Sequence, residues 1–405
     1  MGPHPDRGAR GAEFIALVAM LFATVAFSID SMLPAMPEIA AELTPAAPNR
    51  AQLVVTSFVF GLGVGTLFAG PISDAIGRRK VIVGGAAIYA LGAVLAARAG
   101  SLEALLAARV LQGLGASGPR VASLALVRDR HAGARMARIV SFAMTVFALV
   151  PAVAPAIGAL ILAAFGWRAI FGAFVVFAAL SSAWLLLRQP ETLAPEARRP
   201  LRPARILAAV GEVLSHGVVL RAILAQVFIF GSLMAVLSST QMVFDKTFGL
   251  GDSFPFWFAM IVLVAGTGSF ANARLVLRLG MIRLVTTTLT VEFLFSATVA
   301  ALWGTGLLPE PLRFPLYFAW TTSVFFMLGF TMGNLNALAL EPMGHIAGTA
   351  ASVISALATA LAVVIAIPVG LAFDGTPLPL FLGVAASLAC ARLSVRGLVP
   401  AVAGP

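Results

Sequence analysis

Apolar residues along this chain fall into repeated runs, and short polar segments punctuate them. The runs are about 20 residues long, enough to cross a bilayer core of roughly 30 Å as helices. Twelve helices are expected, over approximately 14–37, 51–71, 80–98, 102–125, 138–164, 168–187, 218–243, 254–275, 283–306, 314–338, 347–371 and 377–396. A membrane β-barrel would instead show alternating segments of about ten residues, and the sequence has none. Connections are short with one exception. From Arg188 to about Gly217 the chain turns polar and carries Pro190, Pro195, Pro200 and Pro203 among arginines. Prolines break helices, so this segment reads as a linker at the lipid surface. The pattern predicts an all-α membrane protein with an N-terminal six-helix bundle over 1–187, a basic Pro-rich linker over 188–217 and a C-terminal six-helix bundle over 218–405.

Composition agrees. With 60% hydrophobic and 11% charged residues, and a mean hydropathy of +0.99, the chain is not a soluble globule, which would carry roughly 25% charged residues. The net charge of +10 would suggest nucleic acid in a soluble protein. Its placement gives another meaning. With the N-terminus inside, the outer loops hold Arg50, Arg98, Arg168, Lys246 and Arg313, Arg109 and Arg120 lie within a helix, and all other Lys and Arg fall on inner loops and their flanks. By the positive-inside rule this orients the chain with both termini cytoplasmic, as a multi-pass protein of the plasma (inner) membrane. The expected partners are the lipid bilayer, protons and a small-molecule substrate, without nucleic acid. The Arg-containing N-terminus and the apolar run after it resemble a signal peptide, but the run extends too far and the loop charges balance only if it is retained. Cys390 is the sole cysteine and can form no internal disulfide. His4, His131, His216 and His345 are scattered, no phosphate-binding loop occurs, and no nucleophile stands with a base. An enzyme, a metal site, a cofactor and an ATP motor are therefore not expected.

The segment GPISDAIGRRK, from Gly70 to Lys80, reads as a charged turn closing the hairpin of helices 2 and 3. Gly70, Asp74, Gly77, Arg78 and Arg79 are its candidate gating residues. RLVLRLGMIR, Arg274 to Arg283, repeats the pattern faintly between helices 8 and 9. A repeated hairpin at matching positions marks a duplicated transporter with two pseudo-symmetric bundles and a substrate site near the midplane. Asp74 could accept N–H groups at the start of helix 11, Ala347 to Ser352, as a latch, or cap its own turn.

Charges inside the membrane cost roughly 2.5–3.5 kcal/mol or more each, so Asp30, Arg109, Arg120 and Glu292 must face one another or water. Asp30 and Arg109 both lie about seven residues, or ~10 Å, below the outer surface. Equal depth permits a pair. Burial favours the neutral carboxyl and a nearby cation the charged one, so a conformational change could load or release a proton at Asp30. A static salt bridge is the other reading. Asp30 opens DSMLPAMP, where Pro34 and Pro37 bend or end helix 1. Arg109 and Gln112 share one face of helix 4 within RVLQGLGASG. Helix 5 holds PAVAPAIGA, in which Pro151, Pro155 and Gly158 predict a kink. Gln112, Gln226, Glu292 and Asn334 are the candidate substrate-cavity residues, with Glu292 either a cavity group or the partner of another polar residue.

GPISDAIGRRK resembles the helix 2–3 motif of the major facilitator superfamily, RVLQGLGASG its helix 4 motif and PAVAPAIGA its helix 5 antiporter motif. Pro190-Glu191-Thr192-Leu193 opens the linker as in the twelve-helix drug/proton antiporters, and DSMLPAMP with EPMGHIAGTAAS (Glu341 to Ser352) is similar to the Bcr/CflA drug-resistance branch. The resemblance spans nearly the whole chain. It implies a monomeric, proton-coupled exporter of small, largely lipophilic compounds working by alternating access. Asp30 and Arg109 would handle the proton, and Asp74 and Arg78 would form the gating pair. The rival expectations are a facilitator or uptake carrier for a polar metabolite and a non-transporting membrane sensor on the same fold.

Overall fold

A computed structural model describes residues 11–398. In chain order its helices are α1 (Ala12–Asp30), α2 (Met36–Leu43), α3 (Leu53–Ile76), α4 (Arg78–Ala97), α5 (Leu102–Arg130), α6 (Gly133–Phe165), α7 (Arg168–Arg188), α8 (Pro203–Ser215), α9 (Gly217–Met242), α10 (Phe254–Leu279), α11 (Met281–Gly304), α12 (Glu310–Leu340), α13 (Ala347–Leu371) and α14 (Leu378–Ser394). Apart from the short α2 and α8, twelve long helices remain among the described residues, matching the apolar runs. A bilayer leaves backbone polar groups no water to bond, so each crossing segment must close its own hydrogen bonds as a helix. Lipid also explains why Leu160, Phe165, Leu187 and Leu277 are exposed on helix faces.

The described chain forms two compact units, residues 11–35 with 57–204, and residues 36–56 with 205–398. The first is built around α4 against α5 and α1 against α6, with a core that includes Phe14, Leu17, Val18, Leu21, Ile82, Ala122 and Leu126. The second packs α9 against α13, α10 against α12 and α11 against α14. An aromatic cluster of Phe244, Phe254, Phe314, Tyr317, Trp320 and Phe381 fills it, mostly edge to face, with Tyr317 tilted on Trp320. The segment 36–56 joins this unit through side chains: Gln52 Nε2 donates to the Gly370 carbonyl at 2.6 Å, and Ser239 Oγ donates to Gln52 Oε1 at 2.7 Å.

Three expectations need correction. Helix 1, expected over 14–37, ends at Asp30, and the chain resumes as α2 at Met36 after a 3-10 turn. The Gly70–Lys80 segment is not a loop. α3 runs on to Ile76 with Pro71 inside it, and α4 starts at Arg78. Gly77 alone turns the chain, at φ 110°, where a side chain would be strained. Pro71 removes one helical hydrogen bond but does not end the helix. In the second unit Gly280 alone, at φ 78°, likewise turns α10 into α11. The linker, expected to be irregular, contains α8. Its Ile206, Ala209 and Val213 recur at helical spacing and are buried, and His345 Nε2 pairs with Glu212 at 2.5 Å.

Candidate functional site

Asp30 is the last residue of α1 and is 4% exposed. The helix stops there for a local reason. Pro34 has no N–H to give the Asp30 carbonyl, and Pro37 has none for Leu33. The chain tightens instead into a short 3-10 turn, with Met32 N bonding Ile29 O at 3.3 Å and Ala35 N bonding Met32 O at 3.0 Å. Helix α6 lies against this break. A Cβ at Gly158 would overlap the Ser31 carbonyl, so the glycine lets α6 reach the backbone beside Asp30. Pro151 and Pro155 sit inside α6, which runs unbroken from Gly133 to Phe165.

Arg109 on α5 is fully buried. Its guanidinium donates to Gln112 Oε1 at 2.7 Å and to the Ser28 carbonyl at 3.1 Å, and it lies 4.4 Å from the centre of the Phe58 ring. Ser28 Oγ spends its only proton on the Thr24 carbonyl at 2.5 Å, so the 2.6 Å contact with Tyr89 is donated by the tyrosine. The network thus ties α1, α3, α4 and α5 around one cation. Among the described residues no ion pair joins Asp30 to Arg109. Ser28 and Asp30 are two residues apart on α1, and such positions face different sides of a helix. The guanidinium meets α1 at Ser28.

A second cluster surrounds the Gly77 turn. Arg78 is 7% exposed. Its Nε donates to Asp129 Oδ2 at 3.0 Å, and its Nη1 donates to Ser73 Oγ at 3.2 Å and to the Asp74 carboxylate. The carboxylate of Glu191 caps the start of α4, accepting from the backbone N–H of Arg78 at 2.9 Å and of Arg79 at 3.2 Å. The same group accepts from Thr192 N and Leu193 N. Thr192 Oγ1 donates to Asp129 Oδ2 at 2.9 Å, and Arg79 Nη2 donates to the Leu186 carbonyl at 2.7 Å. A carboxylate is favoured at a helix N-terminus, where unpaired N–H groups and the macrodipole both point at it. Gly70 lies a turn before Asp74 on α3. Asp129 and Glu191 were not among the expected gating residues. Glu191 was visible only as part of a motif opening the linker, and nothing in local spacing tied it to a turn more than a hundred residues earlier.

In the second unit the expected cavity residues stay apart. Gln226 on α9, Glu292 on α11 and Asn334 on α12 are each buried. Asn334 Nδ2 donates to Asn272 Oδ1 on α10 at 2.9 Å and to the Phe330 carbonyl at 2.8 Å. Glu292 meets Ser323 of α12 at 3.0 Å. No hydrogen bond joins Gln226, Glu292 and Asn334 to one another among the described residues. A cavity of about 250 Å³ in this unit is lined by residues such as Pro37, Ala41, Pro48, Met242 and Lys246 and includes none of the three.

The family model of the Major Facilitator Superfamily matches residues 16–367. The chain belongs to this superfamily. It is a membrane transporter by descent and not an enzyme. Among its relatives is the bicyclomycin resistance protein homolog of Haemophilus influenzae, 31% identical over 350 residues and 85% of each chain. Another is the multidrug resistance protein MdtL of Escherichia fergusonii, 28% identical over 271 residues, or 66% of this chain and 67% of that one. A D-xylose-proton symporter crystal structure superposes with a TM-score of 0.74 at 15% identity, covering 96% of this chain and 98% of that one, and shows the shared fold. Within the superfamily frame, Arg109 and the Gly77 cluster are two polar networks of one bundle, each assembled from residues far apart in sequence, and Asp30 is a buried carboxylate of the same bundle.

Proposed function

We propose that this superfamily member is a proton-coupled exporter of small, largely lipophilic compounds that works by alternating access, with Asp30 carrying the proton. The observation that carries this reading is a carboxylate withdrawn from water at a helix break, without an ion pair to Arg109. An anion held in that way costs several kcal/mol. Water access to Asp30 and the presence of its proton are therefore linked, which is what a carrier needs to couple a gradient to a conformational change. Arg109 holds α1, α3, α4 and α5 in register and sets the local potential. The Asp74–Arg78–Asp129–Glu191 cluster acts as the gate, making one end of the bundle stable only when its hydrogen bonds are closed. Relatives named for bicyclomycin resistance and multidrug resistance support export over uptake. The excess of Lys and Arg on one set of loops supports cytoplasmic termini in the inner membrane, and the working unit is a monomer.

The test is transport in everted membrane vesicles energised to an acidic interior. Lipophilic antibiotics should accumulate in vesicles that contain the protein, and a protonophore should abolish the accumulation. Accumulation that survives the protonophore, or none across such a panel, would overturn the assignment.

A further inference from the structure

Glu292 stands outside the Asp30 and Gly77 clusters, and its setting carries a statement about protons. It lies eleven residues into α11, about 16 Å along the helix from Met281, and is 5% exposed. Its Oε1 is 3.0 Å from Ser323 Oγ. That same hydroxyl is 2.7 Å from the Trp320 carbonyl one turn back on α12. A serine hydroxyl has one proton, and a carbonyl oxygen can only accept. The Ser323 hydroxyl donates to Glu292 Oε1 or to the Trp320 carbonyl, and its one proton serves one of them at a time. A proton on Glu292 lets both contacts be hydrogen bonds together, with Glu292 donating to Ser323 Oγ.

Among the described residues no cation is hydrogen-bonded to the Glu292 carboxylate. Of the helices packed on α11, α14 brings Arg392, whose Nε donates to Thr290 Oγ1 at 3.0 Å. On α10 the basic residues Arg274 and Arg278 lie in the last turns, and on α11 itself Arg283 lies near the start. Glu310 and Arg313 stand in the first turn of α12, at the opposite end from Leu340. No salt bridge to Glu292 occurs among the described residues. Beside it Trp320 is fully buried, with its indole Nε1 donating to Ser296 Oγ at 2.9 Å.

We propose that Glu292 is a second proton-binding site, carried by the second unit and independent of Asp30. The proton comes from water and sits on Glu292 Oε1, bonded to Ser323 Oγ. Its release leaves a carboxylate, to which the Ser323 hydroxyl turns from the Trp320 carbonyl. The use of this proton in transport rests on the proton-coupled reading above, but its presence does not.

Infrared spectroscopy of the purified protein in lipid, at neutral pH, tests occupancy without any transport step. The carbonyl stretch of a protonated carboxylic acid should be present. It should shift when the protein is made with glutamate labelled by carbon-13 at the side-chain carboxyl, a readout that needs no variant. Glu292→Gln should remove the glutamate-derived band, Asp30→Asn should leave it, and Ser323→Ala should keep it at a changed frequency because its hydrogen-bond partner is gone. A protonated-acid region that does not respond to the label would overturn the proposal, as would one unchanged by Glu292→Gln.

Discussion

Replacing Glu191 by alanine tests whether the Gly77 turn is held by the linker. The substitution removes an acceptor shared by four backbone N–H groups, those of Arg78, Arg79, Thr192 and Leu193, at 2.9, 3.2, 3.0 and 3.2 Å. Loss of a helix cap costs about 1 kcal/mol, and loss of a charge at a helix N-terminus adds about 0.3–1 kcal/mol. With the two linker N–H groups also released, the local loss comes to roughly 2 kcal/mol, or about a thirtyfold easier opening. Global unfolding need not follow, since Arg78 keeps Asp74, Asp129 and Ser73. Hydrogen exchange by mass spectrometry in nanodiscs reads the effect directly, because amide exchange reports local opening. Peptides spanning 77–80 and 191–194 should exchange roughly thirtyfold faster in Glu191→Ala, and about tenfold faster in Glu191→Gln, which keeps an acceptor but loses the charge. Unchanged exchange in both peptides would refute the cap. Acceleration only in distant helices would refute it equally.

Other consequences are as concrete. Gly158→Val should force α6 away from the Ser31 carbonyl and abolish transport with loss of monodisperse protein on size exclusion, whereas Gly84→Val, with nothing within 4 Å of its Cβ position, should be tolerated. Arg109→Lys keeps a charge but loses the planar fork shared by Gln112 and Ser28 and the stacking on Phe58. Transport in vesicles should fall at least about tenfold at unchanged expression, if the loss is 1.4 kcal/mol or more. Asn334→Leu removes an interhelical hydrogen bond to Asn272, worth about 0.6–2 kcal/mol in membranes. Denaturation in mixed detergent micelles should show a loss in that range.

The helices were legible because lipid leaves little choice: an apolar run long enough to cross a bilayer must close its own hydrogen bonds. An interruption of helix 1 was legible too, since Pro34 and Pro37 carry it in their own chemistry, but the helix was expected to run to about 37 and it ends at Asp30. Boundaries set by side-chain partners were not. α3 continues through Pro71 to Ile76, and Asp74 pairs with Arg78 across the Gly77 turn, whereas the spacing of Gly70 and Gly77 alone suggested a loop. α8 was obscured by the prolines and arginines around it, although Ile206, Ala209 and Val213 already had helical spacing. Long-range partners such as Glu191 with Arg78, or Arg109 with the Ser28 carbonyl, depend on how helices pack. Arg109 and Asp30 were expected at one depth, but which face of α1 meets α5 could not be read from spacing, and the guanidinium meets α1 at Ser28.

The central claim is that Asp30 carries the proton which drives transport. In proteoliposomes containing Asp30→Asn, exchange of labelled for unlabelled substrate at equal pH on both sides should persist, because the amide mimics a carboxyl that never loses its proton. Accumulation driven by a pH gradient should vanish. If the variant still concentrates substrate in response to a pH gradient, another group carries the proton and the account fails at its core.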